Sequence, residues 1–183
     1  MPSIDTKPNP VSILAFVFSC LGCILTVAAI FLVDWWTYFF SDGRTAHYGV
    51  WTNIFCSKIG DCQSSSATEL AGGQEVAFVS KIFITLGGFL AVLAVVLHVI
   101  YFLLRHAMVR TIAIFFLGAA GIFGLMSAFC FLGYYHTLSG DTSLGVAFYL
   151  GLIGAFLCLL AAAFTAWASV RKITGFGATE MDD

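Results

Sequence analysis

Charge is scarce in this chain. Eight Lys and Arg and ten Asp and Glu make up 10% of its 183 residues, against about 25% in an ordinary soluble domain. There is no basic cluster, and the net charge is −2, so the electrostatic footprint of a nucleic-acid binder is missing. None of the acidic residues falls inside the four longest apolar runs, which leaves an intramembrane proton relay without its carboxylates. No phosphate-binding loop and no Ser nucleophile elbow occurs. His47, His98, His106 and His136 are scattered, and no His/Cys spacing has the form of a zinc site. Cys20-Leu21-Gly22-Cys23 is a CxxC, but it lies in mid-span, where cysteine packs as a small apolar residue. No catalytic residue, cofactor site or metal site is therefore assigned.

What the chain has in abundance is apolar surface. Apolar residues account for 60% of the sequence, which a soluble protein of this length has too little interior to hide. A membrane-crossing helix needs about 20 mostly apolar residues. Four runs qualify: Val11–Val33, Ile82–Leu104, Ile112–Tyr135 and Leu144–Val170. Open backbone is not tolerated in hydrocarbon, so each run is expected to be a helix. They do not alternate in polarity as barrel strands would. Val27-Ala28-Ala29 has the look of a signal-peptide cleavage site, but the run before it is longer than a secretory core.

Four spans place both termini on one side. That side, with the Arg105–Thr111 loop, holds Lys7, Arg105, Arg110, Arg171 and Lys172. Arg44, Lys58 and Lys81 are spread thinly over the other. The positive-inside rule then predicts cytoplasmic termini, an outer loop 34–75, a short outer turn His136–Ser143 and a cytoplasmic tail 171–183. His98 is the one ionisable residue well inside a span, and it reads as a histidine bonded to a neighbouring helix. Asp34 and Lys81 sit at the outer ends of the first two spans; either they pair across the mouth of the bundle or each is solvated.

The outer loop reads as a small sheet. Trp35–Phe40 is aromatic and of strand length, and Asp42-Gly43 is a hairpin signal. Thr45–Cys56 is the return strand, Ser57–Asp61 a second turn, and Cys62–Ser66 a third, short strand. Thr68–Val76 is a candidate short helix, weakened by Gly72-Gly73. Cys56 and Cys62 are the only cysteines in a polar loop and flank the second turn, so they are expected to form a disulfide. Trp35, Trp36 and Tyr38 are expected to form a headgroup-level aromatic belt. Phe39, Phe40, Asp42, Gly43, Arg44 and Thr45, at the hairpin tip, are the candidate partner contacts. Loop charges are mixed, so no ion selectivity is expected. In the spans, Gly118, Gly121 and Gly124, with Gly151 and Ala155, give the small-residue spacing of close helix contacts.

The ordered set Trp36, then Gly49-Val50-Trp51, then Cys56 and Cys62 resembles the loop signature of the claudin-like superfamily. That group holds claudins, peripheral myelin and epithelial membrane proteins, the lens-fibre tetraspan and calcium-channel gamma subunits. Asp34-Trp35-Trp36 and Ala46–Trp51 look most like the lens-fibre and epithelial-membrane branch. Val50 stands where Leu is usual, and four residues rather than two separate Trp51 from Cys56. Gln74-Glu75-Val76-Ala77 stands where claudins carry an Arg, and the Glu180–Asp183 ending lacks the apolar last residue a PDZ groove takes.

The resemblance implies an all-α membrane protein: a single four-transmembrane-helix bundle, left-handed, with a small extracellular antiparallel β-sheet in the first outer loop. It implies that Trp36, Gly49, Val50 and Trp51 lock the sheet onto the bundle. The function expected is non-enzymatic: cell–cell adhesion or junction organisation at the plasma membrane. The alternative is an auxiliary subunit of an ion channel or receptor; a small transporter or membrane enzyme is weaker still. The partners expected are the lipid bilayer and either like tetraspans or a larger membrane protein.

Overall fold

A backbone in hydrocarbon has no water to bond, so it must close its hydrogen bonds on itself. The apolar runs do so as four helices: α1 (Pro10–Phe31), α2 (Gln74–Leu104), α3 (Ala107–Tyr135) and α4 (Val146–Ala178). A computed structural model describes residues 10–66, 74–135 and 141–178. Each helix is long and apolar enough to cross a membrane. Pro10 opens α1, where its missing N–H would have had no helical partner anyway. Helices α2, α3 and α4 are longer than their apolar runs, whereas α1 ends at Phe31, two residues before the run does. The expected Arg105–Thr111 loop shrinks to Arg105-His106, because Thr111 and its neighbours continue α3. Arg105 takes a left-handed conformation, φ 54°, and its N–H bonds Tyr101 O to close α2.

Small residues set the helix spacing, since lipid gives helices no hydrophobic reason to associate. The middle of the bundle is built largely from Ala91, Ala94, Leu117, Ala120 and Ala161. A Cβ placed on Gly154 would stand 2.9 Å from Thr26 N and 3.1 Å from Gly22 O, so the α1 and α4 backbones touch there. Gly121 and Gly124 meet Leu159 and Ala155 of α4, whereas Gly118 faces open space. Between α2 and α3, Ser80 and Ser127 are buried and reciprocal. Their hydroxyls lie 2.9 Å apart, and each donates to the other's backbone carbonyl, at 3.1 and 2.9 Å. His98 is buried as expected, with Nε2 3.2 Å from Thr165 Oγ1 of α4 and Nδ1 3.3 Å from Ala94 O.

At one end of the bundle sits an antiparallel sheet of five strands in the order β4-β3-β2-β1-β5. Four lie between α1 and α2: β1 (Trp36–Phe39), β2 (Thr45–Tyr48), β3 (Thr52–Cys56) and β4 (Cys62–Ser66). The expected single return strand Thr45–Cys56 is thus two strands. Gly49 breaks it: its N–H bonds Thr52 O at 2.9 Å, which folds Val50 and Trp51 into a turn. The fifth strand, β5 (Asp141–Leu144), comes from the connection between α3 and α4, where only a turn was expected. It pairs Leu144 with Trp36 and Asp141 with Phe39. Residues 68–73 of the candidate short helix lie outside the described residues, and Gln74–Val76 belong to α2 itself.

Candidate interaction surface

Strand alternation gives the sheet two unlike faces. Trp36, Tyr38, Ala46, Tyr48 and Asn53 share one face through the registers Trp36↔Tyr48↔Asn53 and Tyr38↔Ala46. This face, with Trp35 and Val50, merges into a core formed with Ala29 and Ile30 of α1, Ile84 of α2, Phe131 of α3 and Phe148 of α4. Trp35 is 2% exposed. It donates from Nε1 to Ala29 O and meets Phe131 edge-on at 5.3 Å. Trp36 stacks on Tyr48 at 4.1 Å. Both indoles therefore lie inside the junction of sheet and bundle, not in a headgroup belt. Their area is worth more there than at the surface, and Trp35 finds a partner for its N–H.

The loop-motif residues divide. Trp36 and Val50 are in that core. Gly49 presses against the exit of α1, so that a Cβ would come within 2.7 Å of Val33 Cα. Trp51 is 53% exposed and adds nothing to the buried core, because the turn swings it outward. Pinning continues from α4: Gly145 N donates to Trp35 O and Ala147 N to Asp34 O, each at 2.9 Å. Asp34 turns its carboxylate to the sheet. Its Oδ1 accepts from Thr37 Oγ1 at 2.9 Å and lies 3.3 Å from His47 Nδ1. Its pairing is thus with sheet residues rather than across the mouth with Lys81. His47 carried no sequence signal for this role; only the strand register brings it opposite Thr37.

The far end of the sheet carries two hairpin tips of one design. Phe40–Gly43 and Ser57–Gly60 are turns closed by N–H to C=O bonds of 3.0 Å, each ending in a glycine of positive φ, 85° and 95°. This is the three-residue hairpin that ends in a left-handed glycine, which other residues enter at a cost. Arg44 caps the first tip. Its amide donates to Asp42 Oδ1 at 3.1 Å and its Nε to Asp42 Oδ2 at 2.7 Å, and its guanidinium lies 5.2 Å from the Phe40 ring centre. The Arg44 amide first, and its side chain after, hold the Asp42 carboxyl below the usual carboxylate range. Behind the second tip Cys56 and Cys62 face each other in register and form the disulfide.

Of the candidate contacts, Phe39 is 46% exposed, and Asp42, Gly43 and Arg44 are exposed. Phe40 and Thr45 are half-buried; Phe40 meets Tyr38 edge-on at 4.7 Å. The most exposed apolar tip residue was missed by sequence reasoning: Ile59 is 91% exposed. An apolar residue at the apex of a turn is the signal that could have found it. Among the described residues, no three His, Cys, Asp or Glu side chains gather as a metal would require. No protein-family model matches the chain, and no curated protein matches it.

Proposed function

We propose that this chain is a plasma-membrane tetraspan of claudin-like type. Its disulfide-braced sheet serves cell–cell adhesion or junction organisation. One observation carries the reading. The sheet's inner face is spent on the bundle, while its far end holds two rigid tips carrying exposed Phe39 and Ile59 beside the ion pair of Asp42 and Arg44. Exposed apolar side chains on a rigid, crosslinked edge suit a protein contact. The nature of the anchor, four apolar helices, keeps that edge at a membrane surface. The chemistry is binding rather than catalysis.

The test is distribution in two adhering cell populations that express the chain alone. Concentration at contacts, lost on changing Phe39 and Ile59 to Ser, supports adhesion. A uniform surface distribution together with co-purification of a pore or receptor subunit supports the second reading, an auxiliary subunit. That reading has one observation in its favour: Gly118 of α3 faces open space next to exposed Phe115 and Ile122. Epitopes at both chain ends should report from the cytoplasmic side of intact cells.

A further inference from the structure

We infer that the second face of the sheet forms a binding groove for a neutral, hydroxyl-bearing membrane lipid, a sterol. The groove is open and about 620 Å³ in volume. Such a volume lies within the range of small-molecule sites, about 300–1,000 Å³. Its apolar walls include Leu32 and Val33 where the chain leaves α1, Val146 where α4 begins, and Ile54 of β3. Its polar members are Asp34 and His47. The Cys56–Cys62 disulfide borders it on the sheet side. Leu32 and Val146 stand at the same end of their spans, so the groove opens where hydrocarbon gives way to headgroups. A lipid already in the bilayer reaches it without crossing water.

Proton placement identifies the chemistry. Thr37 Oγ1 donates its single proton to Asp34 Oδ1. His47 Nδ1 faces two oxygens, Thr37 Oγ1 at 3.1 Å and Asp34 Oδ1 at 3.3 Å, neither of which has a proton left for it. Nδ1 therefore carries the ring proton and donates. In the neutral imidazole, Nε2 is then a bare acceptor. Among the described residues no group bonds Nε2, and the His47 side chain is 36% exposed, so this nitrogen is open to a ligand in the groove. The ligand atom that suits it is a hydroxyl.

Charge narrows the class. The lining includes the Asp34 carboxylate and no Lys or Arg. An anionic phospholipid would place its phosphate beside that carboxylate with no Lys or Arg in the lining to offset it. A sterol carries a single hydroxyl and no charge. Its rigid body also loses little conformational freedom on binding an apolar wall.

The whole chain is reconstituted in phosphatidylcholine vesicles with a diazirine-bearing sterol, irradiated, digested and mapped by mass spectrometry. The expected adducts lie on Leu32–Asp34, Ile54 and Val146. Val146 is 62% exposed, so Val146→Trp fills the groove without disturbing the core. It should lower those adducts at least fivefold, roughly as loss of the apolar wall contact requires. Methylating the probe's hydroxyl removes the donor and should lower them about 2- to 10-fold, the worth of one hydrogen bond. A thermal-unfolding midpoint in mild detergent equal to that of the unaltered chain checks that the variant is folded. Adducts spread evenly over the lipid-facing sides of α2 and α3, or labelling indifferent to Val146→Trp or to methylation, would overturn the site. Competition by ceramide as strong as that by unlabelled sterol would overturn the assignment to a sterol. Stronger competition by phosphatidylglycerol would overturn the charge argument.

Discussion

Replacing Gly49 with alanine adds one methyl group where backbone already stands on several sides. The new Cβ would lie 2.7 Å from Thr52 O, 2.7 Å from Val33 Cα and 3.1 Å from Leu32 O. None of these is the end of a flexible side chain. Relief requires the β2–β3 turn to move away from α1, loosening Trp36, Tyr48 and Val50 in the shared core. Overpacking of this kind costs about 1–3 kcal/mol. For a chain of this length each kcal/mol shifts the melting temperature by about 2–4 °C, so the expected fall is about 2–12 °C. The assay is thermal unfolding of the purified chain in mild detergent, followed by tryptophan fluorescence. Two further glycines set the scale. A Cβ on Gly118 meets nothing within 4 Å, so Gly118→Ala removes only a poor helix former and should raise stability by up to about 1 kcal/mol. A Cβ on Gly60 also meets nothing, but its φ of 95° makes Gly60→Ala cost about 1 kcal/mol of backbone strain alone. The expected order of stability is Gly118→Ala, then Gly60→Ala, then Gly49→Ala. If Gly49→Ala melts at or above Gly60→Ala, the sheet does not seat on α1 as described.

Three more outcomes are expected. Changing Cys56 and Cys62 together to Ser removes a crosslink that closes a short loop, costing about 2 kcal/mol by the chain-entropy estimate; limited proteolysis of intact cells should then cut within 34–66. Ser80→Ala and Ser127→Ala should be non-additive in detergent unfolding, with a coupling of about 0.6 kcal/mol and at most about 1.7, since each hydroxyl serves the other. Because folding lowers the Asp42 pKa, its contribution to the hairpin is present above the ordinary carboxylate range and fades as pH falls through its lower folded value. The Arg44 amide resonance should shift over that acidic window, and Asp42→Asn should abolish the shift.

Long uniform runs were the most legible part of the sequence. Val11–Val33 and Ile112–Tyr135 can satisfy their backbones in lipid in only one way, and both are helical but for Leu32 and Val33 at the exit of α1. The disulfide was legible too, because Cys56 and Cys62 flank Ser57–Asp61, whose glycine closes the turn. The sheet was harder. Thr45–Cys56 has strand composition throughout; Gly49 splits it by bonding back to Thr52 O while its backbone sits against Leu32 and Val33, a contact no local pattern shows. Strand β5 was invisible because Asp141–Leu144 has neither alternating apolar residues nor aromatic weight; it is a strand because β1 offers an open edge beside it. The candidate contacts were partly legible. Asp42-Gly43 marks its hairpin, but which of Phe39 and Phe40 faces outward depends on where the strand ends. Trp35 and Trp36 were misplaced because an indole suits a wet boundary and a dry junction equally well, and composition does not distinguish them.

Strand β5 also imposes an order on assembly. During synthesis β1 can zip to β2 as soon as both emerge, but its other rim stays bare until α3 has been threaded and Asp141–Leu144 arrives. For that interval the nascent cap is an unfinished ribbon, open to whatever extended chain comes near. Lesions in α3 or α4 would prolong the interval. Their damage would therefore surface at Trp36–Phe39, at the opposite end of the polypeptide.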